Sequence, residues 1–373
     1  MAQDFPRASV LEGIRFTAQI GIPNIVQGLF SKRELPTKVA SVVGADHFGY
    51  EFVEGLVKAH GPGPFYVRLA KDEALLVTHP DDLKFVLGGS PDPFASDPEP
   101  KLKGMAAFQP EALTISRGDL WAQRRLFADA VLEPASPLHR LAGPFLAVAA
   151  DTARELKGRS VDYHTIDAAF QRMTRRVVFG DHAADDTRLM ELLSELLSQG
   201  NKMPGEPGPQ YPEMIKIIEG HLERAEAGSL AAEIATTTAP PGGAAGQVVH
   251  WLMAMGDTLA ANTLRALAAL ATHTGQLAEV RAEIANADIS TPEGDASLKY
   301  LAGCLLEAMR LWPTTGMFAR VTTRDVTFPN GAVLPEGSQV VIYNVFNHRN
   351  RERIPYADRF SPGEWVSGDA SED

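Results

Sequence analysis

A long apolar stretch in the second half of the chain limits what this protein can be. Residues 248–271 have the pattern of a helix that is apolar on nearly every side. The stretch is broken by His250, Asp257, Asn262 and Arg265. A membrane-spanning helix needs about 18 consecutive apolar residues, and no stretch of the sequence reaches that length. Residues 248–271 are therefore predicted to form a buried helix of a soluble protein.

The composition is that of a large globular protein. Of the 373 residues, 45% are hydrophobic and 22% are charged, which is enough apolar material for a sizeable core. The 35 Lys and Arg against 47 Asp and Glu give a net charge of −12. This acidity argues against nucleic-acid binding, which usually needs a basic face. The length suggests two domains or one unusually large one.

The chain contains one cysteine, Cys304. A single cysteine excludes an intramolecular disulfide and any multi-cysteine zinc or iron-sulfur site, and we predict no protein-built metal site. The first residues carry charges without an uninterrupted apolar core, so they do not resemble a secretory signal. We expect a cytoplasmic protein without a membrane anchor.

Helical patterns fill the middle of the chain, and strand patterns lie towards both ends. After an irregular N-terminal segment, residues 64–69 and 73–78 predict a β-hairpin, and 325–328 and 332–344 predict further strands. Residues 90–118 predict a long loop of the kind usually retained for a site. Helices are predicted at 80–87, 120–132, 141–157, 163–179, 187–199, 214–227, 248–271, 276–287 and 296–311. The predicted fold class is mainly α with a small antiparallel β region.

Glu307 and Arg310 form the most informative pair in the sequence. They lie three residues apart on one helix face, with apolar flanking residues throughout 305–312. Taken alone, such a pair is usually a surface contact that contributes about 0.3 kcal/mol. A charge pair inside an apolar helix, however, is costly to maintain without further hydrogen bonds. Both interpretations remain open from these residues alone.

Asp257 and Thr258 place an acid and a hydroxyl in the middle of the predicted buried helix. In one interpretation Thr258 bonds back to a carbonyl one turn earlier and Asp257 reaches a polar neighbour. In the other, the pair relays protons, beside small residues that let a flat ligand approach the backbone: Ala254 and Gly256.

Trp121 and Arg125 lie four residues apart on one face of a predicted helix. An indole N–H and a guanidinium at that spacing can together hold a carboxylate. More often, a tryptophan and an arginine so placed only pack on each other.

The order and spacing of these motifs resemble the cytochrome P-450 family, the haem-thiolate monooxygenases. The shared pattern is WxxxR, then GDT in a long helix, then ExxR, followed by NHRN at 347–350 and DRFSPGEW at 358–365. It covers nearly the whole chain from Pro64, and it resembles soluble bacterial-type members. The resemblance implies the cytochrome P-450 fold, with residues 1–63 as an N-terminal segment and 64–373 as a single domain.

The resemblance also implies roles for residues that bind haem b. Trp121 and Arg125 match the helix that holds one haem propionate, and Arg320 matches an arginine directed at the other. Glu307 and Arg310 match the buried ion pair that organises the proximal side of the haem pocket.

Asp257 and Thr258 match the acid and alcohol that deliver protons during dioxygen activation. The implied reaction inserts one oxygen atom of dioxygen into a small apolar organic substrate. The implied partner is a ferredoxin and reductase system that supplies electrons.

The sequence departs from the family pattern in two places. Glu364 stands where the family has the arginine that completes the Glu307–Arg310 network, and its charge is opposite. The family's haem loop, with the cysteine whose thiolate binds iron, is expected beyond Trp365, yet the sequence ends at Asp373. Cys304 is a poor substitute, because a small buried thiol on that helix is the ordinary case.

We therefore expect a chain truncated before the haem loop and last helix, with the iron ligand missing and the monooxygenase reaction lost. The alternative is a catalytically inactive protein, haem-free or weakly haem-binding, that keeps the helical scaffold as an interaction module.

Overall fold

The computed structural model describes residues 4–370, and most of them are helical, as the sequence predicts. In chain order the helices are α1 (Val10–Phe16), α2 (Ile22–Gln27), α3 (Glu34–Val42), α4 (Ala45–His60), α5 (Pro80–Gly88), α6 (Glu99–Met105), α7 (Gly118–Leu132), α8 (Ala142–Leu156), α9 (Tyr163–Phe179), α10 (Thr187–Gly200), α11 (Tyr211–Leu222), α12 (Leu230–Thr236), α13 (Ala245–Met253), α14 (Leu259–Thr272), α15 (Thr274–Ala285), α16 (Pro292–Ala296), α17 (Lys299–Leu311), α18 (Asn344–Asn347) and α19 (Gly363–Ser367).

Strands from both ends of the chain form a five-stranded sheet and a separate two-stranded ladder, which confirms the predicted small β region. The strands are β1 (Phe65–Leu69), β2 (Asp72–Val77), β3 (Phe94–Ala95), β4 (Met317–Thr322), β5 (Val326–Thr327), β6 (Val333–Leu334) and β7 (Gln339–Tyr343). The five-stranded sheet has the order β1-β2-β7-β4-β3, and β5 pairs with β6 in a separate ladder. The predicted hairpin is the antiparallel β1–β2 pair.

The sheet is not purely antiparallel, because β7 runs parallel to β2. The two strands come from distant parts of the chain, so no tight turn fixes their direction. Residues 332–344 likewise do not form one hairpin, since β6 and β7 belong to different sheets.

The irregular conformation expected for the N-terminal segment is wrong, because that segment contains four helices. Ser9 caps α1: its Oγ accepts from the Glu12 backbone N–H, and the Glu12 carboxylate accepts from the Ser9 backbone N–H, which completes a capping box. Phe16 and Val53 then pack with Phe65 of β1 in one apolar cluster. The residues before Pro64 therefore pack directly on the sheet.

The long loop expected at 90–118 is also partly wrong, because this stretch contains β3, α6 and a short 3-10 turn at Leu113–Ile115. β3 pairs with β4 and thereby brings residues 94 and 95 beside 321 and 322. Short elements of two to seven residues carry too little periodicity to be recognised in a stretch rich in Pro and Gly.

The predicted helix exists as α13 and α14, which run on from each other through a π-helical turn at Ala254–Thr258. It is buried only in part, because Leu259 and Leu267 of α14 are 40% and 45% exposed. Val248, Val249 and Leu252 are fully buried in the largest apolar cluster of the described residues. Trp251 of α13 stacks on Phe127 of α7, with ring centroids 6.0 Å apart and planes 9° apart. Among residues 4–370, no helix has the length and apolar character needed to cross a bilayer.

Candidate functional site

Glu307 and Arg310 of α17 form a buried ion pair rather than a surface contact. The Glu307 side chain is 0% exposed and that of Arg310 is 7% exposed. Arg310 Nε lies 2.8 Å from Glu307 Oε2, and Arg310 Nη2 lies 2.7 Å from Oε1. This bidentate geometry is the strongest form of a carboxylate–guanidinium contact.

Glu307 accepts two further hydrogen bonds from the segment around α19. The Ser361 backbone N–H donates to Oε1 at 2.9 Å, and Trp365 Nε1 donates to Oε2 at 2.9 Å. Burial by itself raises the pKa of Glu307, but the hydrogen bonds from Arg310, Trp365 and Ser361 outweigh it and leave the pKa below its ordinary value. Glu307 is therefore a fully compensated buried carboxylate.

Arg310 ties the same helix to the segment 348–359. Its guanidinium donates to four backbone carbonyls, those of His348, Tyr356, Ala357 and Arg359, at 2.8–3.3 Å. Carbonyls outside regular secondary structure need such partners when they are buried. The ion pair therefore organises the irregular segment that follows the sheet.

Trp365 is the residue that sequence reasoning missed. Among residues 4–370, no hydrogen bond joins Glu364 to Glu307; the indole N–H of the neighbouring Trp365 donates to Glu307 instead. α19 approaches α17 closely at Gly303, where a Cβ atom would lie 2.8 Å from the Pro362 carbonyl oxygen. The signal available in the sequence was an aromatic residue that carries an N–H beside the substituted position.

Asp257 and Thr258 lie in the π-helical turn between α13 and α14, and both are half-buried. The Tyr163 hydroxyl, from the first turn of α9, donates to Asp257 Oδ1 at 2.9 Å. Burial and the charge of Asp257 raise the pKa of Tyr163, so this phenol stays protonated at neutral pH. π-helical turns inside α-helices are often found at functional sites.

Among residues 4–370, no hydrogen bond or cation–π contact joins Trp121 to Arg125. Arg125 is 47% exposed and forms an ion pair with Asp129, one turn further along α7. Trp121 is half-buried. The buried arginine of this helix is instead Arg124, which donates to Ser116 Oγ at 2.7 Å.

Arg320 lies on β4, between β7 and the edge strand β3. Its guanidinium is half-buried and lies over the Phe318 ring, 5.0 Å from the ring centroid. Its Nε donates to Ser90 Oγ at 3.0 Å and its Nη1 to the Ala319 carbonyl at 3.1 Å. Burial lowers the pKa of Arg320. Among the described residues, no carboxylate forms an ion pair with this guanidinium.

Cys304 is 0% exposed in a separate apolar cluster with Leu270, Val280, Leu311 and Phe360. Burial, followed by the charges of Glu283 and Glu307, raises the pKa of the thiol to about 12. A thiol with such a pKa is protonated at neutral pH.

Two surface cavities, of about 380 and 540 Å3, lie away from these side chains. The first is lined by α1 and α4 residues such as Glu12 and Phe52, and the second by charged residues such as Arg154 and Arg172. Neither cavity is lined by any of the predicted site residues. In the part of the chain from 4 to 370, no cluster of three or more His, Cys, Asp or Glu side chains is arranged to hold a metal ion.

Comparison with known proteins gives one consistent family. The family model for cytochrome P450 matches residues 243–372. Cyclooctat-9-en-7-ol 5-monooxygenase of Streptomyces melanosporofaciens is 26% identical over 344 residues, which covers 82% of this chain and 73% of that protein. Human cytochrome P450 4A22 is 33% identical over 119 residues, which covers 31% of this chain and 23% of that protein.

A solved structure shares the fold. Retinoic acid bound cyanobacterial CYP120A1 superposes with a TM-score of 0.66 over 83% of this chain and 76% of that chain, at 16% identity. At that identity, the likeness concerns the fold alone. The predicted fold class is thus confirmed by both the helices and the sheet.

Proposed function

The chain belongs to the cytochrome P450 family, and from that premise we propose that it binds haem b and serves the monooxygenase reaction of the family. The observation that carries the proposal is the buried Glu307–Arg310 pair with its bonds to the backbone carbonyls of 348–359. An ion pair on the surface contributes little to stability and does not need further hydrogen bonds, whereas a buried pair must satisfy its remaining donors and acceptors.

The side chains of Arg320, Trp121 and Arg125 have the donors that the two propionates of haem require. Arg320 has a guanidinium whose Nη2 has no acceptor among residues 4–370, and Trp121 has a half-buried indole N–H. Arginine is well suited to carboxylates because its planar fork makes two parallel hydrogen bonds. Arg125 completes the set when it exchanges Asp129 for a propionate, which an exposed ion pair of low strength permits.

Asp257 and Thr258 would move protons at the opened turn of the long helix. When haem is bound, it supplies the redox chemistry of dioxygen activation. Tyr163, 43% exposed, donates to Asp257 Oδ1 and so links that carboxylate to solvent. The Thr258 hydroxyl stands next to it on the chain, and a hydroxyl can both donate and accept hydrogen bonds.

Cys304 does not have the character that the family's iron ligand needs. Cys304 is the only cysteine of the 373 residues, and it lies in an apolar cluster with a pKa raised to about 12. A thiolate is required for the electron donation that favours O–O cleavage. We infer that Cys304 is a core residue and that these 373 residues alone do not complete the catalytic site.

The proposed substrate class and electron donor are those that the family resemblance implies. The proposed substrate is a small apolar organic molecule, as the family resemblance implies. Met255, Met317 and Phe318, close in sequence to Asp257 and Arg320, are half-buried, and each packs against a different apolar cluster. The relative that acts on cyclooctat-9-en-7-ol supports a hydrocarbon-rich substrate. Electrons are proposed to come from a ferredoxin and reductase system.

Haem titration of the purified 373-residue chain tests the proposal. We expect a saturable Soret band that weakens in Arg320→Met, and no red-shifted thiolate-type band after reduction and addition of carbon monoxide. The matched variant Cys304→Ser should leave both spectra unchanged. A thiolate-type band that Cys304→Ser abolishes would show that Cys304 is the ligand, and failure of haem to bind at all would overturn the proposed cofactor.

A further inference from the structure

Two histidines outside the candidate site contact each other. His182 lies in a short 3-10 turn at Asp181–Ala183, which follows α9, and His221 lies in the last turn of α11. His182 Nε2 is 3.0 Å from His221 Nδ1, which is hydrogen-bonding distance. The two side chains are only 15% and 13% exposed, so water screens charges poorly here.

Each histidine also contacts a carboxylate through its other ring nitrogen. His182 Nδ1 lies 2.6 Å from Glu226 Oε2, and His221 Nε2 lies 2.8 Å from Asp186 Oδ2. Both carboxylates are fixed by the backbone, because Glu226 Oε1 accepts from the Asp181 N–H at 2.7 Å and Asp186 caps the start of α10. The side chains of Glu226, His182, His221 and Asp186 form the His182–His221 cluster.

The three contacts within this cluster need three ring hydrogens. A carboxylate only accepts hydrogen bonds, so His182 Nδ1 and His221 Nε2 must each carry a hydrogen. Two neutral imidazoles have one hydrogen each, which leaves His182 Nε2 and His221 Nδ1 as two acceptors that face each other at 3.0 Å. A third hydrogen turns that contact into an N–H···N bond and makes one ring an imidazolium.

The carboxylates at the two ends of the cluster favour this third hydrogen, because an opposite charge in contact with a ring stabilises its charged form. The hydrogen bond from His182 holds the pKa of Glu226 below its ordinary value, so that end is ionised at neutral pH. One buried cation of α9 opposes the imidazolium: Arg175 is 4% exposed and donates to the Ala184 carbonyl at 2.6 Å. Two carboxylates in direct contact with the rings outweigh this guanidinium.

Two further acids beside the cluster are already paired with arginines of α9. Arg176 lies 2.5 Å from Asp181, and Arg172 lies 3.3 Å from Asp185. The elements packed around the cluster also carry Arg188, Glu191 and Glu195 on α10, Glu213, Lys216 and Glu219 on α11, Glu223 and Arg224 after α11, and Glu233 on α12. The groups in direct contact with the two rings are therefore the ones that decide how many hydrogens the rings hold.

We propose that the His182–His221 cluster is a pH-sensitive latch that fastens the start of α10 and the end of α11 to the turn after α9. The folded cluster holds the third ring hydrogen near neutral pH and releases it as the pH rises. With only two ring hydrogens, one of the three contacts joins two acceptors, and this region opens more readily. The latch requires no haem, so it does not depend on the proposed function.

Asp186→Asn and Glu226→Gln test the proposal, because an amide keeps the shape of the carboxylate and supplies a hydrogen itself. Either variant can make all three contacts with one hydrogen on each ring. Hydrogen exchange, followed by mass spectrometry of peptides that span the cluster, gives the equilibrium constant for local opening. His47→Gln is the matched control, since His47 lies 3.2 Å from the Glu51 carboxylate but is 57% exposed. Thermal unfolding confirms that each variant is folded.

We expect the wild-type opening constant, corrected for intrinsic exchange, to rise about tenfold between pH values of about 6.5 and about 9, the scale of one charge-assisted hydrogen bond. In Asp186→Asn and Glu226→Gln it should rise about twofold or less, and His47→Gln should follow the wild type. If Asp186→Asn unfolds because it alters the cap of α10, Glu226→Gln decides alone.

Two results would overturn the latch. One is a wild-type opening constant that is the same at both pH values, because the third ring hydrogen is then absent or has no effect. The other is an equal rise in the wild type and in the amide variants, because the pH response then comes from a group outside the His182–His221 cluster.

Discussion

Two clusters of charged side chains, Glu307 with Arg310 and Lys101 with Arg320, differ in whether their charges are neutralised within the protein. Glu307 and Arg310 neutralise each other and satisfy their remaining atoms with a serine N–H, an indole and four carbonyls. Lys101 and Arg320 carry the same sign and have only neutral partners among residues 4–370. A neutralised cluster stabilises the fold, whereas buried charges without a counter-charge reduce its stability.

The hydrogen bonds of Glu307 also explain why the acidic Glu364 does not disturb the Glu307–Arg310 pair. The requirement at that position is a hydrogen-bond donor to Glu307 rather than a positive charge as such, and Trp365 Nε1 meets it. Arg310 already supplies the charge. At this buried carboxylate, an indole N–H supplies a hydrogen bond and Arg310 supplies the charge.

The largest effect is expected for Glu307→Gln. The substitution leaves the Arg310 guanidinium buried without a counter-charge, and breaking a buried pair in this way costs about 3–5 kcal/mol of unfolding free energy. Urea unfolding followed by circular dichroism measures it. Glu352→Gln, an exposed carboxylate in the segment that Arg310 holds, should change stability by no more than about 0.5 kcal/mol. Equal losses of unfolding free energy in Glu307→Gln and Glu352→Gln would show that the buried Glu307–Arg310 pair stabilises the fold no more than an exposed carboxylate does.

Trp365→Phe should have an intermediate effect, a loss of about 1–2 kcal/mol, because it keeps the ring but removes a hydrogen bond to a buried carboxylate. Glu307 has a lowered pKa, so its contribution is present above its unfolded pKa and is lost as the pH falls through the folded value. Without the indole N–H that pKa rises, and acid unfolding should begin at a higher pH. Trp365→His, which keeps an N–H, should recover part of the shift; an unchanged acid midpoint in Trp365→Phe would contradict the role.

Lys101→Met should move stability in the opposite direction, with a gain of about 1 kcal/mol at neutral pH, because apolar replacement of buried ionic groups is often stabilising. The wild-type chain should become more stable as the pH rises from about 8 towards 10.5, where the unfolded chain still binds the proton and the folded chain does not. The variant should lack this rise. Lys103→Met serves as the control, because Lys103 lies on the same helix and pairs with Glu99. A clear loss of stability in Lys101→Met would mean that its cation is already compensated.

The sequence predicted the elements that depend on long periodic patterns, and it failed where contacts between distant segments decide. The long buried helix, the hairpin of β1 and β2, and the pairing of Glu307 with Arg310 follow from local spacing. The parallel β2–β7 pair and the Trp365–Glu307 hydrogen bond join residues far apart in the chain. The contact between His182 and His221 was missed for the same reason, since nothing near either residue in sequence shows that the other lies beside it.

The smallest effect on stability is expected for Arg125→Gln. Arg125 and Asp129 are 47% and 42% exposed, and such an ion pair contributes only about 0.3 kcal/mol. Its loss therefore leaves unfolding almost unchanged. The proposed role at a propionate nevertheless predicts weaker haem binding, measured by Soret titration beside Asp129→Asn, which removes the same ion pair but leaves the guanidinium. A fall in haem affinity confined to Arg125→Gln would show that even an exposed cation of this molecule is reserved for the ligand, while equal behaviour of the two variants would reduce Arg125 to an ordinary surface residue.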